Sequence, residues 1–489
     1  MPNRRHIIYL TVILILAAGV RLWGLADESL WVDEGFTADR ASSSLLALMA
    51  ELTVETQGVA YYLAEWVWCH VFGTSEFALR FPSVVYGTLA VFALYLLGGR
   101  LFSPTAGLLS ALLLALNPFA LFYSQDARPY ALFLFSAIAS LYFFLLFLEL
   151  WTKGRLWGYL IFTVLTLYTH AFGPLILVVH VCAWWLLRRD ARFPVAQSHP
   201  RSVVKLIAVS AALYLPQLLI LSRSIVEKLM GTGRASWIET PSLTAPFDTF
   251  KAYFMAPELA WATGLIILLG LAVGRRRQPS SGRSLGILLA VMVMFIIFPW
   301  LVSRYITPVY VDRYTIPALL AVLLALGWAL SVFSLRWRAI AFAVVLVLTA
   351  LVLRHYYTGL DKDPWRQAAE TVELRARSGD KIVIIKSYVK EAFTYYYQPP
   401  HEVKILAPWQ GELVPREFDE PGRVILVWSY VGKRTARVDS LMARVEHGRR
   451  AVESVRVAER EKRNPYALWL PDITVTVYEP DPAGNHKNP

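Results

Sequence analysis

Apolar runs long enough to cross a bilayer recur through the first 353 residues, with polar residues gathered in the short gaps between them. A helical span needs roughly 20 apolar residues. About eleven spans are predicted, near 6 to 23, 83 to 98, 105 to 122, 131 to 149, 157 to 169, 171 to 187, 203 to 221, 259 to 274, 285 to 302, 314 to 334 and 338 to 353. The first run follows Asn3, Arg4, Arg5 and His6 as a signal peptide would, but no small-residue cleavage site precedes Arg21 and Trp23. It is read as a retained span.

Beyond Asp361 the pattern changes to mixed polar and charged residues with helical and strand periods. WRQAAETVELRARSGD predicts an amphipathic helix with Trp365, Ala368, Ala369, Val372 and Leu374 on one side, stopped at Gly379-Asp380. Strands are expected at 381 to 387, 423 to 429 and 473 to 480, and helices at 390 to 397 and 434 to 448. The chain therefore reads as a membrane domain, residues 1–354, with a first external loop at about 24–82, followed by a small soluble α/β domain, residues 355–489. Strand alternating with helix allows a Rossmann-like half, but no GxGxxG occurs in it, so nucleotide binding has no support.

Composition agrees. The chain is 56% hydrophobic and only 17% charged, with mean hydropathy +0.46, which is the profile of a polytopic membrane protein. Sixteen Lys and Arg residues, from Arg4 and Arg5 to Arg336 and Arg338, fall in short connections on one side, which places the N-terminus in the cytoplasm. An odd number of spans then puts the C-terminal domain outside. The net charge of +12 divides into about +9 before Arg354 and about +3 from Arg354 onward, so no region is basic enough for nucleic acid. Cys69 and Cys182 are not expected to bridge, because one lies in an external loop and the other in a span.

Candidate chemistry sits in the external turns. Asp33 and Glu34 follow the first span between Trp31, Val32 and Phe36, and a carboxylate packed at the membrane interface suits a general base. The competing reading is a helix cap or a topology marker. In SQDARPYA, Tyr123, Gln125, Asp126, Arg128 and Tyr130 crowd beside Pro129. Asp126 suits an acceptor or sugar hydroxyl, and Arg128 a phosphate or Asp33. A structural reading pairs the two or has them cap the next helix. His170 ends a span in YTHAFGP, where a hydrogen-bonded interface role competes with ligation; Arg313 and Tyr314 in VDRYTIP read either as an aromatic-belt anchor or as a cation for a lipid phosphate.

DESLWVDEGFTADRA, YYLAEWVWCHVFGTSEFALRFPSVVYGTLAVFALYLLGGRLF, ALNPFALFYSQDARPYALFLF, YTHAFG and DRYTIPALLAVLLAL, in that order, resemble glycosyltransferase family 39. These are membrane transferases of the GT-C fold, related to protein O-mannosyltransferases and to the aminoarabinose transferases that modify lipid A. The resemblance implies a polyprenyl-phosphate-linked sugar donor, transfer on the non-cytoplasmic face to a lipid, glycan or protein acceptor, and a catalytic acid at Asp33 with Glu34 beside it. It also implies that Asp126 is the acidic position of the second loop and that Arg313 faces the donor phosphate. Relatives often carry His-Pro-Pro or Lys-Pro-Pro before Leu-Tyr-Tyr; this chain keeps Tyr61 and Tyr62 but has no basic residue near Gln57. A hexosyl- or pentosyltransferase of mannosyltransferase-like type is the expected activity. A lipid-linked-sugar flippase and a non-catalytic scaffold are the alternatives. The sequence leaves a divalent cation open, since Asp33, Glu34, Asp126 and His170 match no compact metal motif.

Overall fold

The computed structural model describes residues 4–53, 58–229, 238–359, 362–399, 402–408, 417, 419–429, 436–457 and 473–481. The chain divides into two compact units, Met1–Leu25 with Ser43–Gly73 and Ala78–Arg354, and Ala26–Ser42 with Thr74–Phe77 and His355–Pro489. The second therefore takes in two pieces of the stretch between the first two expected spans as well as the C-terminal residues.

The first unit is built of helices, as a bilayer requires, because a helix pairs its own backbone N–H and C=O groups where water cannot. Every expected span falls on helix, but not every one is a straight crossing. Six helices are long and apolar enough to cross: Arg4–Leu22, Glu76–Leu101, Tyr130–Glu149, Pro257–Arg277, Pro279–Tyr305 and Leu335–Gly359. The runs at 105 to 122 and 203 to 221 are bent pairs, and those at 157 to 169, 171 to 187 and 314 to 334 are the shorter helices Lys153–Thr169, Leu175–Leu187 and Ala318–Val332. Among the described residues six helices, or up to eight with the bent pairs, pass by length and composition, and the remaining three of the eleven expected runs fall on the shorter helices. Apolar runs report where the chain is greasy; breakers decide how far each helix stays straight.

The sharper bend, 60°, separates Pro104–Leu116 from Pro118–Ser124. Asn117 precedes a proline, which pushes it out of the helical region to ψ 122°. Its side chain caps the start of the second helix, Oδ1 accepting from the Ala120 N–H at 2.9 Å, and ties the bend to a third segment, Nδ2 donating to the Tyr253 carbonyl at 2.8 Å. Fully buried Arg21 supplies further donors: Nη1 reaches the Ala115 carbonyl at 2.9 Å, Nη2 the Leu114 carbonyl at 3.2 Å and Nε the Ser124 hydroxyl at 3.1 Å. The second bend, 41°, lies beside Pro216, and a π-helical turn at Val293–Ile297 stands just ahead of Pro299. Both follow from the N–H that proline lacks. Cys69 and Cys182 are free thiols.

The second unit holds a five-stranded sheet of β1 (Lys381–Ile385), β2 (Lys404–Leu406), β3 (Val424–Ser429), β4 (Arg449–Val457) and β5 (Ile473–Pro480), in spatial order β2-β1-β3-β5-β4. β1 runs parallel to both β2 and β3, whereas β5 is antiparallel to β3 and β4. β1 and β3 are Val/Ile-rich and largely buried, as central strands are. The edge strands β2 and β4 were not anticipated, because one is three residues long and the other, RRAVESVRV, is mostly exposed and charged.

Trp365–Glu373 is helical and buries Trp365, Ala368, Ala369 and Val372. Leu374 is 84% exposed, contrary to its expected place on that face. Nine residues after Trp365, at about 100° per residue, it lies half a turn away. The Val32–Ser42 helix packs on Lys390–Tyr396 so closely that a Cβ on Gly35 would stand 2.6 Å from the Ala392 nitrogen. Tyr396 ties these pieces together, accepting from the Leu30 N–H at 2.7 Å and donating to Glu76 at 2.6 Å.

Replacing Arg21 by Met is expected to cost roughly 1–3 kcal/mol for each helix-end carbonyl left without a donor. Thermal unfolding in detergent reads this as a lowered midpoint. Arg21→Lys should recover little, since one ammonium lacks the planar fork that serves several acceptors.

Candidate active site

In the first unit, the bend at Asn117 delivers the chain to Ser124 and from there through Gln125, Asp126 and Arg128 to Pro129, which caps the Tyr130–Glu149 helix. Gln125 anchors this turn by donating to the Arg21 and Trp23 carbonyls at 3.0 and 2.8 Å. Asp126 and Arg128 are thereby buried, at 0% and 3% exposure. Ionisable groups kept so far from water are expensive and mark functional sites.

Tyr61 and Tyr62 reach the same neighbourhood from the Val59–Phe72 helix. That helix starts at Gly58, where any Cβ would lie 2.0 Å from the Tyr168 carbonyl oxygen. Arg128 Nη1 donates to the Tyr62 hydroxyl at 3.0 Å, and the two tyrosine rings meet edge-on at 5.3 Å. Glu65, one helical turn further along, is 2% exposed and accepts from the Cys69 thiol at 3.7 Å. Sequence reading passed it over as one loop acid among many. The signal available was its spacing, which places it on the face of Tyr61 and Tyr62.

The late turn completes this set. Arg313 is buried with its guanidinium 5.6 Å from the Tyr314 ring centre, and Tyr314 lies 4.8 Å from the His170 ring and 6.3 Å from that of Tyr130. His170 Nδ1 accepts from the Phe172 N–H at 3.1 Å, and its ring stacks on Phe133, so part of its role is to shape the span end. Tyr123 sits 4.8 Å from Tyr130, and Asp312, Arg313 and Asp126 all act electrostatically on its phenol. Burial pushes the Asp312 carboxyl above its ordinary value, against the pull of Arg313. Tyr61, Tyr62, Tyr123, Asp126, Arg128, His170, Arg313 and Tyr314 are thus neighbours in one polar cluster of two guanidiniums, carboxylates and phenols. Such a set can hold a phosphate by charge and a sugar by hydrogen bonding and ring contact.

Asp33 and Glu34 belong to the second unit, in the first turn of Val32–Ser42. Glu34 is fully buried, accepts from the Trp31 N–H at 3.3 Å and pairs with Lys362 Nζ at 3.0 Å. This is the reciprocal half of a capping box. Asp33 is half-buried beside it. The buried Asp363 carboxyl accepts from Trp365 Nε1 at 3.2 Å and from the Val32 N–H. Burial pushes this carboxyl up to about 7, and nearby Asp33 and Glu34 add to the effect. Sequence reading did not single out Lys362 or Asp363. Glu55, Thr56 and Gln57, where the family's basic residue is missing, lie outside the described residues. No group of three or more His, Cys, Asp or Glu side chains fit to hold a metal ion occurs among the described residues.

The family described as dolichyl-phosphate-mannose-protein mannosyltransferase matches residues 57–218. Comparison with curated proteins finds no match. Among solved structures, ArnT from Cupriavidus metallidurans in the apo state is similar at TM-score 0.61 and 14% identity, over 96% of this chain and 97% of that one. The same protein bound to undecaprenyl phosphate gives 0.59 and 13%, with the same coverage. The Archaeoglobus fulgidus oligosaccharyltransferase, in complex with Zn and sulfate, gives 0.56 and 14% over 86% of this chain and 67% of that one. The chain is a multi-pass helical membrane protein with the GT-C fold and a small C-terminal sheet. The family model covers about a third of the chain, and the solved structures, at 13–14% identity, show a shared fold.

Asp363 also predicts a pH dependence. Its folded value of about 7 exceeds the ordinary 3.8, so the folded state holds a proton that the unfolded chain releases first. The stabilisation is complete below about pH 4 and is lost as pH rises through about 7. Melting of the full chain at pH 5 and pH 8 should show the higher midpoint at pH 5, and Asp363→Asn should shrink the difference.

Proposed function

We propose that this protein is an inverting glycosyltransferase that moves a sugar from a polyprenyl-phosphate donor to an acceptor hydroxyl on the extracytoplasmic face. The observation that carries the reading is the buried cluster around Arg128 and Arg313 in a chain with the GT-C fold. Two guanidiniums among phenols and carboxylates answer the needs of a departing lipid phosphate. The Lys and Arg distribution supports a cytoplasmic N-terminus and an external C-terminal unit. Nucleotide sugars stay in the cytoplasm, so an outward-facing transferase is better served by a sugar already carried across on a lipid.

In the proposed reaction the acceptor O–H gives its proton to the Asp33 carboxylate while its oxygen bonds to the anomeric carbon. The bond from that carbon to the phosphate oxygen breaks, and the electron pair leaves with the polyprenyl phosphate. One displacement inverts the anomeric centre. Arg313 takes the phosphate with Arg128 as helper, Asp126 orients a guanidinium or a sugar hydroxyl, and Tyr61, Tyr62, Tyr123, Tyr314 and His170 bound the sugar. The buried pairing of Glu34 fits an orienting task beside Asp33. The bound undecaprenyl phosphate of ArnT supports this class of donor. The acceptor is a lipid, glycan or protein hydroxyl, and the sugar is a hexose or pentose.

Asp33→Asn should lower transfer by about 10² to 10⁴, the usual worth of a general base, without changing insertion or melting. Arg313→Ala should lose on the order of 10² to 10³, as an oxyanion donor does. Release of polyprenyl phosphate from a panel of lipid-linked sugars measures both. Wild-type rates in Asp33→Asn would refute its role, and sugar movement across vesicles without cleavage would identify a flippase instead.

A further inference from the structure

Asp33 is the residue on which the proposed reaction turns, and its helix is framed on both sides by one distant segment. Ser29 Oγ donates to the Asp363 carbonyl at 2.8 Å, and the Lys362 N–H donates to Glu28 Oε2 at 3.1 Å. On the other side the Val32 N–H donates to the Asp363 carboxyl, and Lys362 Nζ meets Glu34 Oε1 at 3.0 Å. Positions 28, 29, 32 and 34 are thus all held by two consecutive residues. The first N–H groups of a helix have no partner within it, and here a carboxyl from far along the chain serves the first of them. Trp365, itself fully buried, keeps that carboxyl in place through its Nε1.

The chemistry of the frame goes beyond what packing needs. The Glu34 and Lys362 side chains are 0% and 9% exposed, and a buried ion pair is weak support for stability compared with apolar residues of the same volume. What it does provide is a defined backbone position and a local charge balance. We infer that Lys362 and Asp363 are positioning residues for Asp33, setting the place of its first-turn backbone and cancelling the Glu34 charge beside it. The inference rests on the proposed role of Asp33. The other titratable or charged groups on elements packed against this helix are Tyr388, Lys390, Glu391, Tyr395 and Tyr396; Glu391 acts further along, against Asp39 and Arg40, and the last two phenols donate to the Thr74 carbonyl and Glu76.

The test uses the full-length protein with a lipid-linked sugar donor, following kcat and KM against pH. Lys362→Met removes a cation paired with Glu34 and makes the local charge more negative, which opposes ionisation of its neighbour. The acidic limb of the kcat/KM profile is expected to move to higher pH by on the order of one unit. Adding Glu34→Gln removes the excess charge and should bring the limb back, a rescue that a purely structural role does not produce. Should Lys362→Met fail to fold, the double variant, which strands no charge, is compared with Glu34→Gln alone, whose excess cation should move the limb the other way. Asp363→Ala withdraws the acceptor for the Val32 N–H and should lower kcat, by up to about 10²-fold for a misplaced group, with KM little changed; Asp363→Asn, which keeps an acceptor oxygen, should retain most of it. Folded Lys362→Met, Asp363→Ala and double variants with wild-type kcat and unmoved acidic limbs would overturn the inference if Asp33→Asn is inactive. Full activity in Asp33→Asn would instead overturn the proposed reaction.

Discussion

A charge or a bare backbone dipole held away from water must be paired within the protein, and that single requirement organises this chain. The bilayer makes it severe, because an unpaired carbonyl at depth has no solvent to turn to. At Asn117–Pro118 the helix breaks, and the cost is contained because Asn117 caps the next helix at Ala120 while Arg21 donates to the helix-end carbonyls of Leu114 and Ala115. The break is what turns the following residues, Ser124 to Arg128, away from a straight helical path. Structural repair and the presentation of candidate site residues are therefore one arrangement.

The same rule explains the composition of the polar cluster. Arg128 is buried against the Tyr62 hydroxyl, Arg313 lies against the Tyr314 ring, and Asp126, Asp312 and Glu65 supply negative charge nearby. Guanidinium groups tolerate such places better than ammonium groups, being weakly hydrated and planar. A cluster balanced in this way stays preorganised for an anion without collapsing in its absence. In the second unit the pairing of Lys362 with Glu34 and the acceptance of the Val32 N–H by Asp363 apply the rule at a helix end.

Much of the fold was legible because it depends on local pattern. Apolar runs marked the long helices of the membrane unit but not Leu45–Leu52 or Val59–Phe72, which lie in the stretch read as a loop, and alternation marked β5. The failures are equally physical. Leu374 was misplaced by a half-turn of phase at the end of a short helix, and β4 was missed because an edge strand need not be apolar. Hydropathy does not register a bend, so the breaks within the runs at 105 to 122 and 203 to 221 were not anticipated. Asp126, Arg128 and Arg313 were legible as candidates because charges beside apolar spans stand out; Lys362 and Asp363 were not, since each lies among other charges in the sequence, and Glu65 was passed over as one acid of a long loop.

By itself the sequence determined that this is a membrane protein with an α/β tail, where its long apolar helices run, and which turns between them hold ionisable residues. Each follows from composition and short-range period, which need no knowledge of distant neighbours. Only the tertiary structure decided the partners: Arg21 with carbonyls more than ninety positions away, Arg128 with Tyr62, and Lys362 with Glu34. Pairing energy depends on the distance between charges in space and on the water excluded around them, and neither is encoded in the spacing of residues along the chain.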